Sequence, residues 1–446
     1  GDGWRWRRPG DERLRRRPAV SAGAIALGQG HEQPAGASSE DRAPGGSVAR
    51  GRRRPRLTHV DAMRPMKQFG VVVTHSVLAF APGAAVGVGA ALLVSHVTRF
   101  AFMFISAAMF VYAYPRLGRR ELPTFWRRRL MSIGVPYVAW TFVYFAMEAG
   151  RVSWPLGGFE HLGYLLATGY YQLYFLLLLL EFCVVYPAFL WLLRRTQGHH
   201  WALFAASVAL QVVLTSLIYW GIQPGWALGR GGGMIELWNY QLFLVAGGLL
   251  AWHYAEVHEW LCRHWRLVVV ATIAWFVVAE AYYVFVYRHP GSLLAGVDSA
   301  NAFQPVTIPL YLGLIASIYL IGVALMHARR SPRTRQLAQA GADTSYGVYL
   351  SQVLVLTAVT WLGWGRLTSL LPWPVVAFGA AIVVFGLASA LTAILSRLPG
   401  ARALAGRPRQ PWRAALTLQP ASGEPPERNT VTSLLRSWAT RAAIQR

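Results

Sequence analysis

Cysteine and acidic residues are the two things this chain of 446 residues has little of. Only Cys183 and Cys262 occur, in no paired spacing, and no Cys/His cluster has the spacing of zinc ligands, so neither a disulfide nor a metal site is expected. Charged residues make up 14% against 54% hydrophobic, too few to cover a soluble protein of this size. Long polar loops are missing as well. Beyond about residue 58 no connection is long enough to fold as a soluble domain, so any chemistry belongs to the apolar segments themselves. A clear internal repeat is also lacking, which removes the usual sequence mark of a transporter built from inverted halves.

What is present is a recurrence of apolar segments of about 17 to 25 residues, each long enough to span a bilayer as a helix. They fall near 67–83, 96–114, 131–149, 171–192, 201–220, 236–254, 267–287, 304–326, 345–363 and 374–396. The fold class expected is therefore all-α, a polytopic transmembrane helix bundle of about ten transmembrane helices with disordered cytoplasmic tails. Three regions follow: a basic tail over 1–58, a transmembrane domain over 59–398, and a mostly disordered basic tail over 399–446. The stretch from Arg151 to Tyr170 reads either as a short re-entrant or interfacial helix or as the start of a long tilted span. In the first tail, Arg13 to Arg17 followed by Ala19 to Leu27 imitates a signal peptide, but its apolar part is short and a cleaved signal is not expected. The last stretch, Thr430 to Arg446, has a modest basic amphipathic pattern that reads as frayed tail or as a surface element on anionic lipid.

The net charge of +24 would suit a nucleic-acid binder, yet the arginines cluster in the tails and in alternate loops. Arg116, Arg119, Arg120 and Arg127 to Arg129 lie in one loop, with Arg194, Arg195, Arg263, Arg266, Arg329, Arg330, Arg333 and Arg335 in later loops on the same side. Membrane insertion imposes that distribution, so no nucleic acid is expected as a partner and both termini are expected in the cytoplasm.

Ionisable residues inside apolar spans are functional candidates by default. The first span holds the clearest pair, Arg64 and His75. They are eleven residues apart, which places them within about 20° on one helical face and about 16 Å apart along the axis. Lys67 marks the start of the apolar run, with Arg64 at the membrane edge and His75 near mid-depth. From periodicity alone a catalytic histidine and one that bonds a neighbouring carbonyl are equally open. Pro65 disfavours a helical Arg64, which would let Asp61 orient its guanidinium at the mouth of the helix. Further polar groups on the spans are His96 and Arg99 at the outer start of the second, Gln172 and Tyr174, Glu181 in the fourth, Glu236 in the sixth, Glu280 in the seventh, and Tyr349 and Gln352 in the ninth.

Arg64, ten residues, then His75 resembles the first helix of the acyltransferase-3 family of integral membrane acyltransferases. Phe102-Met-Phe-Ile-Ser106 resembles that family's FxFISG helix, and Phe125 to Tyr137 its basic loop followed by Pro-Tyr. Tyr171-Gln-Leu-Tyr-Phe175 and Ser345-Tyr-Gly-Val-Tyr-Leu350 resemble two later helices, so the likeness runs roughly from Asp61 to Arg397. The resemblance implies an acyltransferase that moves an acyl group, acetyl first among them, from acyl-CoA to a hydroxyl. His75 would be the catalytic base, and Arg64, Asp61, Arg128 and Arg129 would lie on the donor side. His96, Arg99, Gln172, Tyr174, Glu181, Glu236, Tyr349 and Gln352 are acceptor or pore-lining candidates. No bound cofactor is implied, since acyl-CoA is a co-substrate. The partners implied are acyl-CoA, a hydroxyl-bearing saccharide, lipid or small natural product, and membrane lipids, in a bacterial plasma membrane. The chain departs from the family at Ser132, where an Arg-x-x-Arg pattern often ends, and at Gln172, Tyr174 and Gln352, where relatives often show His, Trp and His. An exporter of saccharide or lipid without chemistry is the alternative.

The arginine asymmetry makes a direct prediction. Single cysteines placed in the Arg116 to Arg129 loop should resist membrane-impermeant thiol reagents applied outside intact cells. Labelling from outside would invert the orientation.

Overall fold

The computed structural model describes residues 58–83, 85–149, 158–222, 235–294, 299–328 and 332–410. Among these residues there is no strand. The helices are α1 Thr58–Phe80, α2 Val86–Ser95, α3 Val97–Ala113, α4 Leu122–Arg129, α5 Val135–Ala149, α6 Gly158–Thr168, α7 Tyr174–Arg195 and α8 His200–Tyr219. They continue with α9 Gln241–Trp252, α10 Tyr254–Arg263, α11 Trp265–Arg288, α12 Thr307–Ala328, α13 Pro332–Trp361, α14 Trp373–Leu395 and the short α15 Ala401–Leu404. Leu130–Gly134 forms a π-helical link that fuses α4 to α5, and Leu237–Tyr240 is a 3-10 turn that leads into α9.

Seven segments among the described residues are long and apolar enough to cross a membrane, fewer than the ten expected. The other three expected spans do form helices, namely α1, the turn and α9 together, and α13. They fall short because α1 and α13 carry too many polar residues and α9 has only 12 residues. The polar pair are the helices that need protein around them. α1 packs on α2, α3, α12, α13 and α14, which encloses it on most of its circumference. One side of α1 contributes Val72, Val77 and Phe80 to an aliphatic core with Val348, Val376, Ala380 and Val384. Its neighbour α3 joins a second, aromatic core in which Phe100 lies 4.6 Å from Phe243 and 4.7 Å from Tyr311, centroid to centroid. The bundle is apolar outside. On α11, Leu267, Val270, Ile273 and Val277 are exposed along the helix, an arrangement costly in water and ordinary against hydrocarbon.

Three expectations need correction. Pro65 does not hold Arg64 out of the helix, because α1 begins at Thr58 and runs through it. A proline is tolerated here since neighbouring helices enclose the backbone that it leaves unbonded. The second span starts not at His96 but at Val86, and the joined α2 and α3 form a 28-residue unit with His96 at the joint. The α2 sequence is apolar but only ten residues long, and it falls between the expected spans 67–83 and 96–114. Order also continues past Leu398: Ala401 and Ala405 are buried, and Trp140 Nε1 donates to the Leu404 carbonyl at 3.0 Å. The basic tails, residues 1–57 and 411–446, with their signal-like and amphipathic stretches, lie outside the described residues. The uncertain connection after α5 contains a separate helix, α6.

α3 and α9 lie side by side with their backbones in near contact. A Cβ at Gly247 would fall on the Phe104 carbonyl oxygen, so glycine is what lets the two helices approach. Gly247→Ala should therefore destabilise the bundle by about 1–3 kcal/mol through overpacking. Thermal unfolding of the detergent-solubilised chain measures this, and an unchanged midpoint would show that the helices can part at no cost.

Candidate active site

The site grows from the polar stripe of α1. Arg64, Gln68 and His75 follow one another at spacings of four and seven, which puts them on one face, and Lys67 borders that face. Lys67 is buried and its Nζ lies 4.3 Å from the centroid of the Phe102 ring on α3. Gln68 is buried too, and its Nε2 donates to Gln352 Oε1 of α13 at 3.4 Å.

His75 stands in the last third of α1, half-buried. Its Nδ1 is buried and has no hydrogen-bond partner among the described residues, so that nitrogen does not cross-link α1 to a neighbouring carbonyl there. Tyr171 covers the imidazole, with centroids 4.8 Å apart and planes tilted by 41°. Tyr171 is also the only non-glycine with positive φ, 39°, among the described residues. The turn that presents it starts at Gly169, φ 81°, where a Cβ would strike the Tyr174 backbone. His96 and Arg99 complete the group: Arg99 Nη2 donates to His96 Nε2 at 3.2 Å. A guanidinium only donates, so His96 accepts at Nε2 and carries its proton on Nδ1 when neutral. Arg99 also lies within electrostatic reach of His75, Tyr171, Tyr174, Tyr240 and Tyr311. One fixed cation thus sits among an imidazole and several phenols. Such an arrangement can take a proton at His75 and stabilise a developing negative charge nearby.

A family model for an acyltransferase domain of the acyltransferase-3 type matches residues 59–393. The chain belongs to the acyltransferase-3 family. It is an O-acyltransferase with multi-pass membrane helices. No curated protein and no solved structure matches it.

In this acyltransferase the remaining expected residues divide by position. Tyr174 and the buried Glu236, at the entry to the 3-10 turn, border the Arg99 group through Tyr240. Gln172, Tyr349 and Gln352 belong to a layer nearer Lys67. There Gln172 Nε2 donates to the Tyr144 hydroxyl at 2.8 Å, Tyr144 donates to the Leu350 carbonyl at 2.6 Å, and the Tyr349 hydroxyl donates to the Gln172 carbonyl. Those bonds tie α13 to α5 and to the turn that carries Tyr171, so Gln172 is a strut of the wall. Glu181 is half-buried about two turns beyond Tyr174 on α7. Arg128 is exposed, whereas Arg129 folds inward over Phe110 at 4.6 Å and Tyr114 at 5.1 Å. Phe110 is about 12 Å along α3 from Phe102, so Arg129 packs on a different layer from Lys67. Asp61 lies in α1, but its side chain is outside the described residues.

Lys67, Gln68 and Tyr171 are members of the site that the sequence reading did not select. Lys67 read as an edge marker and Tyr171 only as part of a motif. Gln68 had a signal available, its seven-residue spacing from His75 on the Arg64 face.

Tyr171 permits a clean test, because an L-residue in the left-handed region costs about 1–2 kcal/mol that glycine avoids. Tyr171→Gly should keep thermal stability level or better yet slow acyl transfer, while Tyr171→Phe should keep both. Undiminished turnover in the glycine variant would make the ring a bystander.

Proposed function

We propose that this O-acyltransferase moves an acyl group, acetyl in the simplest case, from acyl-CoA to a hydroxyl of an envelope saccharide, lipid or small natural product, with His75 as general base. The observation that carries the reading is the state of His75: an imidazole on an enclosed helix, covered by an aromatic ring, near a fixed cation, and with no hydrogen bond at Nδ1. A structural histidine in a bundle is expected to bond a partner helix, and Nδ1 of this one has no such partner among the described residues.

The chemistry balances with these groups. The acceptor hydroxyl loses its proton to the imidazole as its oxygen forms a bond to the thioester carbonyl carbon. The carbonyl oxygen becomes an oxyanion, and Arg99, a fixed cation within electrostatic reach of His75, can stabilise it. Collapse of the tetrahedral species breaks the carbon–sulfur bond, and the leaving thiolate takes the proton back from the imidazolium. Products are the ester and free coenzyme A, with no net change in the enzyme.

Geometry favours coenzyme A over a smaller donor. About thirteen bonds separate its thiol sulfur from the nearest phosphorus, an extended reach of roughly 16 Å at backbone-like bond lengths. Arg64 and His75 are separated by about the same 16 Å of helical rise. A thioester at His75 therefore leaves the diphosphate beside Arg64, whose planar fork suits phosphate oxygens. The donor enters from the Arg64 end and the acceptor from the His75 end, so the acyl group crosses by passing from one to the other. An exporter without chemistry does not survive the family assignment.

His75→Ala should lower turnover by about 10² to 10⁴ without unfolding the chain. His75→Gln should be nearly as inactive, since an amide can hydrogen-bond but cannot take and return a proton. Transfer of labelled acyl groups from acyl-CoA to extracted glycans and lipids, followed by mass spectrometry, is the measurement. Retained activity in His75→Gln would remove the catalytic role.

A further inference from the structure

Two features between Arg64 and His75 are left unused by the acyl-transfer step. Lys67 is a buried cation, 9% exposed, whose Nζ has the Phe102 ring as its contact. Among the described residues no carboxylate pairs with it, and Arg64, three residues earlier on the same helix, is another cation that acts on it. Helical side chains lean toward the N-terminus of their own helix, so the Lys67 ammonium tilts toward the level of Arg64. A buried amine with no carboxylate partner among the described residues holds its proton best where an anion lies close, and a ligand anion can supply one.

The second feature is the glutamine pair. Gln68 and Gln352 are each 1% exposed, and the bond between them leaves Gln68 Oε1 and Gln352 Nε2 buried without a partner. Exchanging oxygen and nitrogen in both amides changes the names but not the outcome, which is one unused acceptor and one unused donor. A secondary amide offers the complement, one N–H and one C=O. Buried amide atoms left unbonded cost free energy that such a ligand would recover.

Distances connect the two. The arm of coenzyme A holds two amides, and the one farther from sulfur lies about 9–10 Å from it when extended. Gln68 precedes His75 by about 10.5 Å of rise, and Arg64 by about 16 Å. We propose that Lys67 joins Arg64 in holding the diphosphate of the donor, and that Gln68 and Gln352 together hold the outer amide of its pantetheine arm. This rests on the acyl-CoA reading above and adds to it a track of three levels: cations, paired amides, imidazole.

The test is binding of coenzyme A to the full chain in lipid nanodiscs, with pantetheine as competitor. Lys67→Met should weaken coenzyme A by about ten- to a hundredfold, the range of a charged hydrogen bond, and leave the competition by pantetheine as in wild type. Its thermal midpoint should hold or rise, because removing an unpaired buried charge relieves the bundle. Lys67→Arg should bind nearly as wild type. Gln68→Leu should weaken coenzyme A and pantetheine alike by about five- to tenfold. Equal loss of both ligands in Lys67→Met, a lowered midpoint in that variant, or unchanged binding in either variant overturns the track. So does pantetheine that fails to compete at millimolar concentration. Wild type that does not bind coenzyme A overturns the donor reading itself, a result distinct from wild type that binds while the variants depart from this pattern.

Discussion

Hydrocarbon cannot solvate the polar groups of α1, and the arrangement of the other helices follows from that. Arg64, Lys67, Gln68, Thr74, His75 and Ser76 lie on one helix of 23 residues. Against lipid each would be an unpaired polar group in a medium that offers no hydrogen bonds. The bundle answers by surrounding α1 with α2, α3, α12, α13 and α14. The two helices too polar to qualify as spans by composition, α1 and α13, are packed against each other. Lys67, Gln68, Thr74 and Ser76 of α1 and Ser345, Ser351 and Gln352 of α13 are buried, while the strongly apolar α11 has exposed apolar residues along its length. A membrane bundle with a reactive interior is thus sorted by the same rule that sorts a soluble core, with the sign reversed.

Much of this was legible in the sequence, and the failures have physical causes. Each of the ten apolar runs falls on helix, and seven of those helices are long and apolar enough to cross a membrane, because hydropathy measures what lipid contact demands. The same measure weakens where a helix is enclosed. α1 extends to Thr58, well before its apolar run, because surrounding protein satisfies what lipid would not. α2 was missed although it is apolar, because its ten residues are too few to span alone and lie before the polar His96 and Arg99 that read as the start of the next span. The backbone rule for a residue before proline failed at Arg64 for a related reason, since enclosure outweighs a local preference.

At the site, the Arg64–His75 spacing was readable because it depends only on helical period, and the resemblance selected the same pair. Tyr171 was not readable as a neighbour of His75. Its position needs the left-handed turn after Gly169, which no periodicity reports. Arg99 was readable as an intramembrane cation at the wrong depth. Once α2 is recognised, His96 and Arg99 move from the outer start of a span to its interior, and the cation comes within reach of His75. One misjudged helix boundary therefore concealed the electrostatic part of the site.

The order of polar groups along α1 also constrains how a long donor can use it. Cations stand at one end, the Gln68 amide in the middle and an imidazole at the other, with Arg99 within electrostatic reach of the imidazole. If the donor lies along α1 as proposed, a cation in the middle would compete with Arg64 for its phosphates and draw it in too far, since Coulomb attraction in a low-dielectric interior acts over longer distances than a hydrogen bond. Amides avoid that error. They reward the right register of the arm without attracting the wrong end of the molecule. In the proposed mechanism Arg99, within electrostatic reach of His75, faces a negative charge that develops during acyl transfer, the oxyanion.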